Sequence, residues 1–229
     1  AEMLIGKGYD LSIYDSNVEY ARVHGANKDY IEGKIPHVSS LLNSDFDDVI
    51  NNSDVIILGN RDEKFRALAE AQDRANLLAM VNIDSLITGD MMYAHAGQNS
   101  ADNPELASLR EHAARIAGEL GIDLRANPGL NPDYPVGTGC CSDGEAFEDL
   151  GVPILYVEST NWDIGDLDGY EQTTNPAIPG GSTWHEPVED NETVLVGAFG
   201  EERIEQRLRD YSRLLSRLML ELTNADLLA

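Results

Sequence analysis

Apolar positions along the chain recur with two periods, one of strands and one of helices, and the two take turns. Apolar runs of strand length stand at "DLSIYD" (10–15), "DVIILGN" (54–60), "LLAMVNID" (77–84), "MMYAHAG" (91–97) and "VPILYVES" (152–159). Helical spacing fills the intervals: "AEMLIGKG" ending at Gly8, "NVEYARVHG" between Asn17 as N-cap and Gly25 as stop, "DFDDVINN" (45–52) and "DEKFRALAEAQ" (62–72). The last of these places acids in its first turn, where the helix dipole favours them. Further on come "PELASLREHAARIAGELG" closed by Gly121, the short "EAFEDLG" (145–151) and a long terminal helix from residue 202. This rhythm predicts an α/β fold, a mostly parallel sheet flanked by helices in three layers. The alternation crosses residue 70 with no Gly/Pro/Ser linker, so the strands at 10–15 and 54–60 are expected in one parallel sheet with 77–84.

Two stretches break the pattern, residues 127–144 and 159–191, both rich in Gly, Pro and Asn. Loops of that length in a compact domain are functional or disordered. In α/β sheets ligands gather at the carboxyl ends of parallel strands. Asp84 ends the strand 77–84 and is placed there, although an Asp in that position also serves to cap a turn. His185, in "GGSTWHEPVEDN", is a candidate metal ligand or a solvent-exposed loop histidine. Asp143 is a candidate N-cap of the helix that follows it. Glu158 ends its strand either as an acid supporting the site or as one facing water.

Composition narrows the partners. The chain has 229 residues with 41 acids against 16 lysines and arginines, a formal net charge of −25. Most of the acidic excess lies beyond residue 70. Such a surface repels phosphate backbones, so no nucleic-acid partner is expected; cations, metals and basic groups are favoured. No apolar run approaches the roughly 18 residues of a membrane span, so no membrane partner is expected. The opening "AEMLIGKGYD" lacks the basic and apolar regions of a secretory leader and reads as the middle of a helix, with residues expected upstream. Cys140 and Cys141 are the only cysteines and are adjacent. Free thiols are expected there, with a vicinal bridge as the alternative.

Several stretches resemble known families. "VNIDSLITGD", "NPGLNPDYPVGTGCCSDGEAFEDLGVPILYVESTNWDIGDLDGY" and "GGSTWHEPVEDN" resemble the C-terminal part of a di-zinc aminopeptidase of the alkaline phosphatase isozyme conversion type, over residues about 72–229. The resemblance implies zinc as cofactor, a peptide or amino-acid substrate, and zinc-ligand roles for Asp84 ("NID") and His185 ("WH"). That family places a His-x-Asp, a bridging Asp and a Glu-Glu pair further upstream. Residues 1–70 instead resemble part of the C-terminal domain of a GDP-mannose 6-dehydrogenase. That family's catalytic Cys and Lys and its glycine fingerprint have no counterpart here, so no NAD is expected.

The chain therefore reads as a chimera of segments 1–70 and 71–229. Asp62 and Glu63 follow a strand and open a helix, as the aminopeptidase Glu-Glu pair does. This outline offers Asp62 as general base and Glu63 as metal ligand, with chance likeness between two α/β folds as the alternative. Ile13 stands where the family's His would. The leading expectation is an aminopeptidase-like hydrolase, incomplete and impaired. The alternatives are a nucleotide-sugar-binding fragment of an oxidoreductase and a fold hybrid without activity.

Overall fold

A computed structural model describes residue 5 and residues 8–15, 38–53, 56, 79–140, 142–186 and 188–223. The helices expected at 17–25 and 62–72, nearly all of the helix expected at 1–8 and of the strand expected at 54–60, the join expected near residue 70, and Asp62 and Glu63 lie outside the described residues. The chain divides into two compact units, Ala1–Ile56 with Leu222–Ala229, and Ile57–Glu221.

In the first unit, helix α1 (Val38–Leu41) and helix α2 (Phe46–Asn51) follow each other closely. Asp45 caps α2, its carboxylate accepting from the Asp48 N–H at 3.1 Å. This satisfies one of the free N–H groups at a helix start. The segment expected to form a strand at 10–15 makes only a single bridge, Ile13 with Leu42, through two backbone hydrogen bonds of 2.7 and 2.8 Å. It does not join the sheet with residues 77–84. Its partner, the short link between α1 and α2, turns away after Asn43, so no ladder can propagate. Tyr14 packs edge-on against Phe46, which fixes the crossing locally.

The second unit is built on one four-stranded sheet in the order β1-β4-β2-β3. Its strands are β1 (Met80–Asp84), β2 (Met91–His95), β3 (Leu124–Arg125) and β4 (Ile154–Thr160). β1 pairs with β4 and β2 with β3 in parallel, while β2 and β4 run antiparallel. The sheet is thus mixed and mostly parallel, and the α/β expectation holds. β4 lies inside the sheet and is buried almost throughout, which is why "ILYVEST" reads as a near-continuous apolar run rather than an alternation. Helix α3 (Ser108–Leu120) packs on β2, β3 and β4 through Leu109, Ala113, Ile116 and Ala117. Its stop is Gly121, whose φ of 69° is the left-handed conformation that closes a helix. Helix α4 is Glu145–Glu148. Helix α5 (Glu192–Phe199), absent from the sequence-based expectation, is capped by Asn191, which accepts from the Val194 N–H at 3.1 Å.

Helix α6 (Glu201–Leu222) buries Tyr211, Leu214, Leu218 and Glu221, one stripe at spacings of three, four and three. Its first half grips the turn between β1 and β2. Arg203 donates to the carbonyls of Ile87 (2.9 Å) and Gly89 (2.6 Å), and Arg207 to those of Gly89 (3.1 Å) and Asp90 (3.0 Å). Its far end holds an ion cluster in which Glu221 accepts from His112, Arg115 and Arg217. Burial alone would push the Glu221 carboxyl up, but these three donors outweigh it and bring it down to about 2.

Two predictions follow from this packing. A Cβ on Gly89 would lie 1.9 Å from the Ser159 backbone, so neither side can yield by a rotamer change. Gly89→Ala is expected to cost more than about 3 kcal/mol, above the usual range for overpacking, measured by urea denaturation. Glu221, whose folded value is depressed, contributes stability that is fully present above its ordinary carboxylate range and lost as pH falls towards about 2. Denaturation midpoints of the wild type should therefore fall between pH 5 and pH 3 more steeply than those of Glu221→Gln.

Candidate functional site

Asp84 ends β1, and its register partner in β4 is Glu158. Residues opposite one another in a sheet share a face, so two carboxylates stand side by side at the carboxyl ends of two parallel strands. The Asp84 Oδ2 accepts from the Ser142 hydroxyl at 3.1 Å, and that hydroxyl accepts from the Asn82 amide at 3.0 Å. Burial pushes the Asp84 carboxyl up from its ordinary value, and the charges of Glu158 and Asp143 push the same way. The Ser142 hydrogen bond and the electrostatic effect of the His185 ring oppose this without cancelling it.

Glu158 does not simply face water. Its Oε1 accepts from the Trp162 indole N–H at 2.9 Å. The Nε2 of His95, a fully buried residue, lies 3.0 Å from the same oxygen, although its angles are not those of a hydrogen bond. The Nδ1 of His95 accepts from the Asn127 N–H at 3.1 Å, which places the ring proton on Nε2, facing the carboxylate. Asn127 in turn donates to the carbonyls of Tyr134, Pro135 and Thr138 and so ties loop 127–138 into a compact cage. Gly139 threads between this cage and the histidine, where an added Cβ would stand 2.9 Å from the His95 Cβ.

His185 is exposed at the end of a second ordered loop. Residues 171–183 fold back on themselves: Gln172 and Thr173 both donate their N–H groups to the Gly181 carbonyl. Asp90, at the start of β2, holds this loop by accepting from Thr173, Asn161 and both the N–H and hydroxyl of Thr174 at 2.6 to 2.9 Å. Burial raises the Asp90 carboxyl, but these donors win and leave it below its ordinary range. Ser85, next to Asp84, and His185 itself have φ of 41° and 59°. Non-glycine residues in that region are strained, and such residues concentrate at functional sites.

Two sequence-based expectations need correction. Asp143 is not the N-cap of α4; Gly144 holds that place and no side chain caps it, because the chain enters the helix already in the right-handed conformation. The thiols are not free: Cys140 is disulfide-bonded, and the only other cysteine of the chain is its neighbour Cys141, outside the described residues. Sequence reasoning missed His95, Trp162 and Gln172. His95 sits in an apolar strand and was indistinguishable there from a packed core histidine.

Among the described residues no three His, Cys, Asp or Glu side chains converge so as to hold a metal ion. Asp84 and His185 alone do not make a zinc site, which uses at least three protein ligands. Among those residues, too, no helix is long and apolar enough to cross a membrane.

Comparison with known proteins gives two distinct sets of relatives. No family model matches. One segment is 91% identical over 69 residues to the GDP-mannose 6-dehydrogenase of Pseudomonas savastanoi pv. phaseolicola, covering 30% of this chain and 16% of that protein. Another is 41% identical over 155 residues to the alkaline phosphatase isozyme conversion protein of Escherichia coli K12, covering 67% of this chain and 44% of that protein. The chain thus spans a sixth of the one and under half of the other. Among solved structures, a zinc aminopeptidase from Bacillus subtilis aligns over 66% of this chain and 31% of its own, at 13% identity and a TM-score of 0.39, too low to support any argument. The two sets are consistent with a chimera.

The tension at Asp84 can be measured. A carboxyl raised in the folded state opposes folding once pH exceeds its unfolded value, and the cost persists at neutral pH. Asp84→Asn removes the charge and keeps an acceptor for Ser142. It should raise the neutral-pH melting temperature by about 1–3 °C, a gain kept under about 1 kcal/mol by the partial exposure of the group.

Proposed function

We propose that residues 71–229 form the carboxyl-terminal half of a zinc aminopeptidase-type hydrolase, acting on peptide N-termini, and that this half-site is impaired as a catalyst. The observation that carries the reading is the hydrogen-bonded link through Gln172 between Ser85, next to Asp84, and Thr183, two residues before His185. Asp84 lies at the carboxyl end of a parallel strand, His185 lies in a turn with a positive φ, and the electrostatics of the Asp84 carboxyl include His185, which supports the reading. The 41% identity to the Escherichia coli protein supports it.

In this reading Asp84 and His185 are zinc ligands, with Glu63 as a further ligand and Asp62 as the base that takes a proton from water. No residue fills the role of a carboxylate bridging two ions. Asp62 has a side chain one methylene shorter than the family's Glu, and a displacement on the order of 1 Å already costs about 100-fold in rate. Zinc, where bound, would supply Lewis-acid chemistry. No nucleic-acid or membrane partner and no NAD belong to this reading. The 91% identity of the other segment favours a second one, in which residues 1–70 are a nucleotide-sugar-binding fragment without dehydrogenase chemistry.

The test is a zinc competition titration together with hydrolysis of aminoacyl p-nitroanilides, with and without added zinc, on the purified chain. Weak zinc binding that falls on acidification and is lost in His185→Ala is expected, with little or no turnover. Tight binding indifferent to His185→Ala would sink the site. Robust turnover abolished by Asp62→Asn, Asp84→Ala and His185→Ala alike would overturn the impairment and show that Asp62 completes it.

A further inference from the structure

Gln172 is completely buried, an unusual place for an amide. A side chain of that volume would be better tolerated as Leu or Met unless every polar atom found a partner. All of its partners are found, and they lie in two turns. Its Nε2 donates to the Ser85 hydroxyl and, at 3.4 Å, to the Ser159 carbonyl. Its Oε1 accepts from the Thr183 N–H at 2.9 Å and from the Ser182 hydroxyl at 3.3 Å. Ser85 follows Asp84 directly, and Thr183 precedes His185 by two residues.

The amide itself is held on both sides. The Gln172 N–H donates to the Gly181 carbonyl at 2.8 Å, and its carbonyl accepts from the Asp90 N–H at 2.9 Å and the Asn161 amide at 3.0 Å. Its position is therefore set by β2, and its side chain carries that position to both turns. At those turns stand Ser85 and His185, two of the three non-glycine residues with positive φ among the described residues. Conformations of that kind persist only where the surroundings over-determine them. The turn after Asp84 and the turn before His185 meet at one side-chain amide.

We propose that Gln172 is a positioning residue. It clamps the turn after Asp84 to the turn before His185 and so sets the direction and separation of the two side chains. The proposal rests on the reading that Asp84 and His185 share one site. A second link between the same regions, the 2.7 Å contact of the Thr88 and Thr183 hydroxyls, is independent of Gln172 and should keep the loop folded when the amide is removed.

The experiment is amide hydrogen exchange by NMR on the full ¹⁵N-labelled chain, wild type, Gln172→Glu and Gln172→Leu. The Ser159 N–H, which donates to the Ser85 carbonyl at 3.1 Å, reports on the first turn, and the Thr183 N–H on the second. The amide of Ala113 in α3 reports on the fold as a whole. Gln172→Glu keeps the acceptor and loses the donor. It should speed exchange at Ser159 about five- to tenfold while Thr183 stays protected. Gln172→Leu should speed both by at least that factor and shift the His185 ring signals, with Ala113 unchanged. Equal acceleration at Ala113 in both variants would make Gln172 a merely structural residue and overturn the proposal. So would a Gln172→Leu spectrum with Thr183 and His185 unmoved. Zinc titration of the wild type judges the shared site separately: absence of binding there would remove the site reading, and the exchange pattern alone would then decide whether the clamp exists.

Discussion

The second unit depends on one close approach of backbone to backbone, the contact of the β1–β2 turn with β4 at Gly89 and Ser159. At that distance there is room for a hydrogen atom and nothing larger. The approach brings the carbonyls of Ile87, Gly89 and Asp90 to the surface of the sheet, where no strand can satisfy them. Arg203 and Arg207 do so instead, reaching from α6 across more than a hundred residues of sequence. Arg207 also reaches the Ser159 hydroxyl, and Tyr211 donates to the Glu158 carbonyl. Burial pushes the Tyr211 phenol up, so it remains a donor at any physiological pH. The terminal helix is therefore a polar brace as much as an apolar cover, and it bears on the strand that carries Glu158.

That brace makes the strained end of the sheet tolerable. Asp84, Glu158 and Asp143 are like charges near one another, and Asp84 is held in a charged form that burial disfavours. A protein selected only for stability would not keep this arrangement. Asp84 and Glu158 each have their own support: Ser142 and Asn82 for Asp84, Trp162 and the buried His95 for Glu158. Asp90 shows the contrast. It is equally an acid at a strand end, but four donors surround it and its carboxyl is stabilised as the anion. The difference between the two aspartates is the difference between a residue that holds the fold and one that is held by it.

Elements whose apolar spacing was regular were legible in the sequence. α3 with its Gly121 stop, β1, β2, β4 and the long α6 all stand where the pattern put them. The failures have a common physical origin. "DLSIYD" has the composition of a strand, yet a strand exists only through its partner, and its partner is three residues long. α5 was hidden because "ETVLVGAF" is apolar almost all round and offers no clear stripe. The placing of Asp84 at a strand end and of His185 in an ordered loop was readable, because turn residues and strand ends leave local marks. The supports were not. Gln172, His95 and Asp90 act through contacts across tens of residues, and nothing in a single sequence marks a glutamine in a Gly-rich loop as buried.

The two sets of relatives give this division a further meaning. A half-site keeps its supports only if they lie in the same segment as the residues they support. Here Ser142, His95, Trp162, Asp90 and Gln172 all fall within Ile57–Glu221, together with Asp84 and His185. The local geometry around these two residues is accordingly complete and ordered, even though no three metal-binding side chains converge among the described residues. The contacts that order the surroundings of Asp84 and His185 are therefore local to one segment of this chain.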